Sequence, residues 1–255
     1  MGYELHSMTG TKTDKVKREI DKAIVVFGAT ENHGPHLPYC TDYASAYEIG
    51  RRVCEQVKGT VLLPAMNYGM SLHHMDFYLT ISLRPEVLAE VAKDIFRSLI
   101  THGIKRILVI IGHDGNIAPI EIASREIKRE HDEVVIAVFE AWWYTAGRHL
   151  PEGFFEVWDG LGHAGEGETS LMMALFPELV DFKAAKKAPT IVPNVPNTDV
   201  RVMWKFRELT NTGADGAPSK GTAEKGKKMI DLFVDYLVSF LNKMDKIDWD
   251  YAIKE

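Results

Sequence analysis

The stretch Gly28-Ala29-Thr30-Glu31-Asn32-His33-Gly34-Pro35-His36-Leu37-Pro38-Tyr39-Cys40-Thr41-Asp42 decides how this chain reads. It follows Ala23-Ile24-Val25-Val26-Phe27, an unbroken apolar run of the kind a buried strand shows. The segment is too rich in Gly and Pro to be helical. Its polar side chains therefore leave the end of a strand, where open α/β sheets place their chemistry. Glu31 and His33 are two residues apart and point the same way if the chain there is extended. A carboxylate oxygen beside an imidazole nitrogen suits Zn²⁺ or Mn²⁺. His36 and Asp42 add a second imidazole and a second carboxylate. A polar loop with a few histidines is the plain alternative for this stretch taken alone.

Working outward, strands and helices alternate. Ala46, Ile49, Val53 and Val57 recur at helical spacing and predict a helix over 43–57, closed by Gly59. A short strand follows at 61–64. Pro85 opens a long helix with Leu88, Val91, Ile95 and Leu99 on its apolar face, and His102-Gly103 ends it. Ile107-Leu108-Val109-Ile110-Ile111 is the clearest strand, fit to be buried on both faces. A helix to about His131, a strand at 134–139, a helix at 168–176 and a final helix at about 222–243 follow. Residues 11–22 predict a short helix on the sheet edge. Residues 182–221, with Pro189, Pro193, Pro196 and Pro218, read as a structured excursion within one domain spanning 1–255. The tail from Asp245, with Trp249 and Tyr251, is expected to lie on a neighbouring subunit. The alternation predicts an α/β fold with a mostly parallel sheet and helices on both faces.

Composition narrows the function. The 255 residues are 45% hydrophobic and 26% charged, ordinary for a globular protein with a sizeable core. A net charge of −6 and no basic patch with interleaved aromatics argue against nucleic acid and anionic membranes. No apolar run reaches membrane-spanning length and the N-terminus has no signal-peptide core, so a cytoplasmic protein is expected. Cys40 and Cys54 form neither a disulfide framework nor a Cys-rich zinc site.

Two further loops carry ligand-type side chains. Gly112-His113-Asp114-Gly115-Asn116 comes directly after the best strand. Gly162-His163-Ala164-Gly165-Glu166-Gly167-Glu168-Thr169-Ser170 precedes a helix, and its carboxylates divide between capping and catalysis. On this reading Glu168 is structural, while His163 and Glu166 are functional. Carboxylates and imidazoles converging at strand ends could hold two divalent ions that share a carboxylate. Such a pair lowers the pKa of a water and clamps both oxygens of a tetrahedral intermediate. His163, titrating near neutral pH, would move the proton. That chemistry is amide or ester hydrolysis.

At this point the residues resemble the creatininase (creatinine amidohydrolase) family. The likeness rests on Glu31-Asn32-His33-Gly34-Pro35-His36-Leu37-Pro38 with Thr41-Asp42, on Gly112–Asn116, and on His163–Ser170. Gly213-Ala214-Asp215-Gly216 and Thr222–Gly226 are a weaker echo. The resemblance implies a three-layer α/β/α fold, a small-molecule substrate and a homohexamer. It also implies two divalent ions per chain, with Zn²⁺ ahead of Mn²⁺ or Fe²⁺. Glu31, His33, Asp42 and His113 match metal ligands, with Asp42 as the bridge, and His163 matches a catalytic histidine. Trp142 and Trp158 fall where creatininase has substrate-contacting tryptophans. His74 matches a family histidine, and it and His36 are placed on the substrate side. Creatininase has a glutamate ligand two residues after the histidine matching His113. Here that place is Gly115, and Glu166 is expected to supply the carboxylate. The implied activity is hydrolysis of a cyclic amide or a formamide. Deformylation of a formylaminopyrimidine nucleotide, cleavage of a short modified peptide, or a silent metal-binding subunit are the alternatives. A phosphorylated substrate would look to Arg148, Arg201 and Lys220.

Overall fold

The computed structural model describes residues 1–140, 142–158, 162–194 and 202–253. Five strands, β1 (Tyr3–Glu4), β2 (Lys22–Phe27), β3 (Thr60–Leu62), β4 (Arg106–Ile111) and β5 (Val135–Phe139), form one sheet. Their order is β1-β3-β2-β4-β5, and every pairing is parallel. The described helices are α1 (Gly10–Val16), α2 (Thr41–Gln56), α3 (Pro85–Thr101), α4 (Ile117–Glu130), α5 (Trp142–His149), α6 (Glu166–Leu175), α7 (Phe182–Lys187), α8 (Phe206–Leu209) and α9 (Ala223–Lys246).

Successive side chains of a strand face opposite ways, and the core follows that rule. Ile24 and Val26 of β2, with Leu108 and Ile110 of β4, face a layer containing α2, α5, α6 and α9. Ala23, Val25 and Phe27, with Ile107, Val109 and Ile111, face α3 and α4. The three-layer α/β/α arrangement thus rests on two apolar faces of one sheet, which is why β2 and the interior of β4 read as continuous apolar runs.

Several expectations change in detail. The N-terminal helix is α1 alone, ending at Val16, and β1 lies at the sheet edge beside β3. The excursion contains α7 and α8, with residues 195–201 outside the described set. The tail folds back on its own chain. Trp249 is 4% exposed, sits edge-on to Phe240 and donates its indole N–H to Asp245 at 2.8 Å. The Asp245 carboxylate in turn lies 3.2 Å from Lys22 of β2. An indole with a nearby apolar surface and an acceptor one helical turn away is buried more favourably there than left in water.

Both β2 and β4 end against the start of α2. A Cβ on Gly112 would collide with the carbonyl oxygen of Asp42, and one on Gly28 with the backbone of Tyr43. These two glycines let the first turn of α2, and so Asp42, sit directly on the strand ends.

Candidate metal centre

Three strand-end segments and the start of α6 converge here. Glu31 and His33 come from the loop after β2, Asp42 from the first turn of α2, and His113 from the residue N-terminal to the turn that follows β4. Asn116 ties the loops together. It is fully buried, donates to the Gly28 carbonyl at 3.0 Å and accepts the Met70 N–H at 2.9 Å.

The histidines are oriented by backbone carbonyls. His33 Nδ1 lies 3.1 Å from the Glu31 carbonyl, His113 Nε2 3.1 Å from the Met70 carbonyl, and His163 Nε2 2.6 Å from the Asn32 carbonyl. A carbonyl accepts only, so each of these nitrogens carries a hydrogen. In each neutral imidazole the other nitrogen then turns its lone pair inward. His33 Nε2 faces Asp42 at 2.9 Å and Glu168 at 3.8 Å. His113 Nδ1 faces Glu31 and Asp42, both at 3.3 Å, and His163 Nδ1 faces Glu31 at 3.5 Å. A carbonyl holding the outer nitrogen is how proteins aim an imidazole at a metal.

Glu31, Asp42 and His113 form one ligand group, and His33, Asp42 and Glu168 another that shares Asp42, the donor atoms of each lying within 4.8 Å of one another. Glu31, His33 and His163 form a third that overlaps them. Asp42 turns one oxygen to His33 and the other to His113. Both Glu31 carboxylate oxygens and Asp42 Oδ2 are buried without a hydrogen-bond partner. Among the described residues, the ion-pair partners of Glu31, Asp42 and Glu168 are all histidines. Orphaned carboxylate oxygens facing imidazole lone pairs are stable only with protons or a cation between them. The donor set fits a pair of divalent ions with N and O ligands.

The proton affinities carry the same message. Burial works against a charged His33, but Asp42 outweighs it and raises the imidazole to about 10. Burial likewise opposes charge on His113, and Glu31 with Asp42 overcomes it, lifting the group well above its ordinary value. Burial would raise Glu31, yet His113 and His74 hold it well below the carboxylate range. His163 departs from the near-neutral titration expected of it: burial and the nearby charge of His33 bring it down to about 3, so it stays neutral. Burial raises Glu168 to about 7, with His33 opposing.

The structure brings Glu31, His33, Asp42, His113 and His163 together as the sequence suggests, and it places Glu166 elsewhere. Glu166 is fully buried. It accepts the backbone N–H groups of Glu156, at 3.0 and 3.1 Å, and of Val157, at 3.2 Å, and pairs with Lys225 at 2.6 Å. Glu168 stands nearer the place expected of Glu166, with Oε2 3.8 Å from His33. The same oxygen accepts the Ala164 backbone N–H at 2.5 Å, the structural role expected of Glu168 from the sequence. Two residues apart on a helix is about 200° of rotation, so only one of the two carboxylates can face the loops. Gly115 has no room for a side chain, since a Cβ there would strike the Met70 carbonyl oxygen.

His74 is buried beside the cluster, with Nε2 3.7 Å from Glu31 and its ring 4.3 Å from that of His163. His36 lies outside all three ligand groups and is engaged with the Thr169 hydroxyl at 2.9 Å. Trp142 is a core residue, 7% exposed and packed on Phe233. Trp158 is 39% exposed, with a left-handed backbone at φ 49°. Of the cations considered for a phosphate, Arg148 lines a groove beside β5, Lys220 pairs with Glu156 at 2.7 Å, and Arg201 lies outside the described residues. The excursion also supplies Phe206, which has no recognisable signal in the sequence, and Asp215, which lies in the weaker Gly213–Gly216 echo of the family. Phe206 packs on His74 and His163, and Asp215 accepts the backbone N–H of His163 at 2.6 Å.

A parallel α/β sheet with a buried carboxylate–imidazole cluster at its strand ends defines an α/β protein with a candidate metal centre. Residues 6–241 match the creatininase (creatinine amidohydrolase) family, and the chain belongs to it. The mycofactocin precursor peptide peptidase of Mycobacterium ulcerans is 29% identical over 85% of this chain and 82% of its own length. The creatinine amidohydrolase of Pseudomonas putida is 32% identical over 61% of this chain and 64% of its own. A manganese creatininase structure superposes with TM-score 0.79 at 25% identity, covering 95% of this chain and 98% of that one. No described helix is long and apolar enough to cross a membrane.

Proposed function

We propose that this protein is a two-metal amidohydrolase that cleaves the C–N bond of a small cyclic amide or formamide. The observation that carries this reading is the pair of ligand groups sharing Asp42. Zn²⁺ or Mn²⁺ would be held by Glu31, Asp42 and His113 on one side, and by His33, Asp42 and Glu168 on the other. When bound, the ions supply an acidified water and a positive counterpart for the charge that develops on the carbonyl oxygen.

The chain's own groups do the rest. Asp42 fixes the spacing of the two ligand groups. Asn116 holds the strand-end loops at fixed separation, so the donors are set before substrate arrives. His163 has Nε2–H committed to the Asn32 carbonyl, leaving Nδ1 to exchange protons. As a neutral imidazole it accepts a proton at Nδ1 from the attacking water and returns it to the leaving nitrogen. Phe206 covers His74 and His163 and excludes water from that side.

A short peptide is the second reading, supported by the likeness to the Mycobacterium ulcerans peptidase. A homohexamer follows family habit. The experiment is metal content per chain with single variants. Two ions are expected in the wild-type protein, two in Glu166→Gln, and one in Glu168→Gln. Loss of an ion from Glu166→Gln with none from Glu168→Gln would overturn the ligand assignment. No bound ion after reconstitution would overturn the enzyme.

A further inference from the structure

Resting on that two-metal reading, we propose that Trp204 and His73 form the substrate-facing wall of the site, selecting amides that carry a flat, uncharged ring. Lys205 is extended, with φ −91° and ψ 136°, so its neighbours Trp204 and Phe206 point to the same side of the chain. Phe206 is 1% exposed and seals the inner end, with its ring 4.5 Å from that of His74. Trp204 is only half-buried and continues that wall outward. Its indole stands edge-on to His73, with centroids 5.5 Å apart at 75°. The His73 ring lies parallel to that of His113, 5.6 Å away at 7°. A ladder of rings thus leads from a candidate ligand to the surface.

The chemistry of this wall excludes some guests and favours others. Leu72 and Met75 flank the 73–74 pair, and Met203 precedes Trp204; all three are at least half exposed, giving an apolar rim. Arg207, the guanidinium on the same segment, is already engaged. It stacks on the Phe77 ring at 4.2 Å and donates to the carbonyls of Asp76 and Asn211. A phosphate would have to compete with those contacts for the guanidinium. An aromatic ring would meet indole and imidazole in the offset or edge-to-face arrangements that aromatic pairs prefer.

The test uses the metal-loaded protein with two probes that chelate through the same group, benzohydroxamate and acetohydroxamate, and needs no turnover. The wild type is expected to prefer the phenyl compound. Trp204→Ala should reduce that preference roughly twofold to tenfold, the range of an aromatic pair, and leave acetohydroxamate binding unchanged. Trp204→Phe should keep most of the preference, which also controls for folding. An unchanged ratio in Trp204→Ala would overturn the wall while leaving the metal reading intact. Tighter binding of a benzohydroxamate bearing a phosphonate would overturn the preference for an uncharged ring. If neither probe binds the wild type, the metal reading itself fails and this proposal falls with it.

Discussion

Stripping the metals should leave a protein whose stability falls with rising pH, and restoring them should abolish that slope. His33 rises from 6.5 to about 10 in the fold. A basic group raised in this way contributes stability that is complete below pH 6.5 and lost as pH climbs through about 10. The whole rise is equivalent to at most about 5 kcal/mol, and the part between pH 7 and 10 to about 4 kcal/mol. His113 is shifted the same way and adds to the effect. For a chain of this size about 4 kcal/mol corresponds to roughly 10 °C in Tm. With ions bound, the imidazoles have already given up those protons, and metal affinity itself increases over the same range. Thermal unfolding of metal-free and zinc-loaded protein at pH 7, 8, 9 and 10 checks this. The metal-free Tm should drop by about 10 °C or more beyond the zinc-loaded one. Parallel slopes would show that His33 and His113 do not trade protons for metal, and the ligand assignment would be refuted.

Two further outcomes follow from neighbouring groups. Burial raises the Asp215 carboxyl to about 7, so its folded-state value lies above the unfolded one and its ionisation costs stability as pH rises from about 4 to 7. Asp215→Asn keeps an acceptor for the His163 backbone N–H and should raise Tm above wild type by more at pH 8 than at pH 5, whereas Asp215→Ala should lower Tm at both. A lower Tm for Asp215→Asn at pH 8 would contradict this account. Gly115→Ala should destabilise by about 1–3 kcal/mol in urea unfolding, because the added methyl meets the Met70 carbonyl oxygen. A neutral result would show that the loop can yield there.

Much of this protein was legible in its sequence, for a definite physical reason. A strand buried on both faces must be apolar throughout, so β2 and the interior of β4 announced themselves as runs of Ile, Val, Leu and Phe. Parallel strands need crossover helices, so alternation gave the layers. The candidate ligands Glu31, His33 and His113 stood out because they leave strand ends, and Asp42 because it closes the same stretch of sequence, although the structure places it in the first turn of α2.

What the sequence left open was direction and distance. Glu166 and Glu168 are equivalent as letters, and only the seating of α6 against the loops and α9 turned Glu168 toward His33 and Glu166 toward Lys225. Trp142 and Trp158 carried the expected chemistry at expected positions, yet packing placed Trp142 in the core against Phe233. Trp204, Phe206 and Asp215 come from the Pro-rich excursion, which has no periodicity to read, and they reach the site only because the chain folds back across it. Periodicity records which side of an element is buried; which buried group meets which is decided by contacts between residues far apart in the chain.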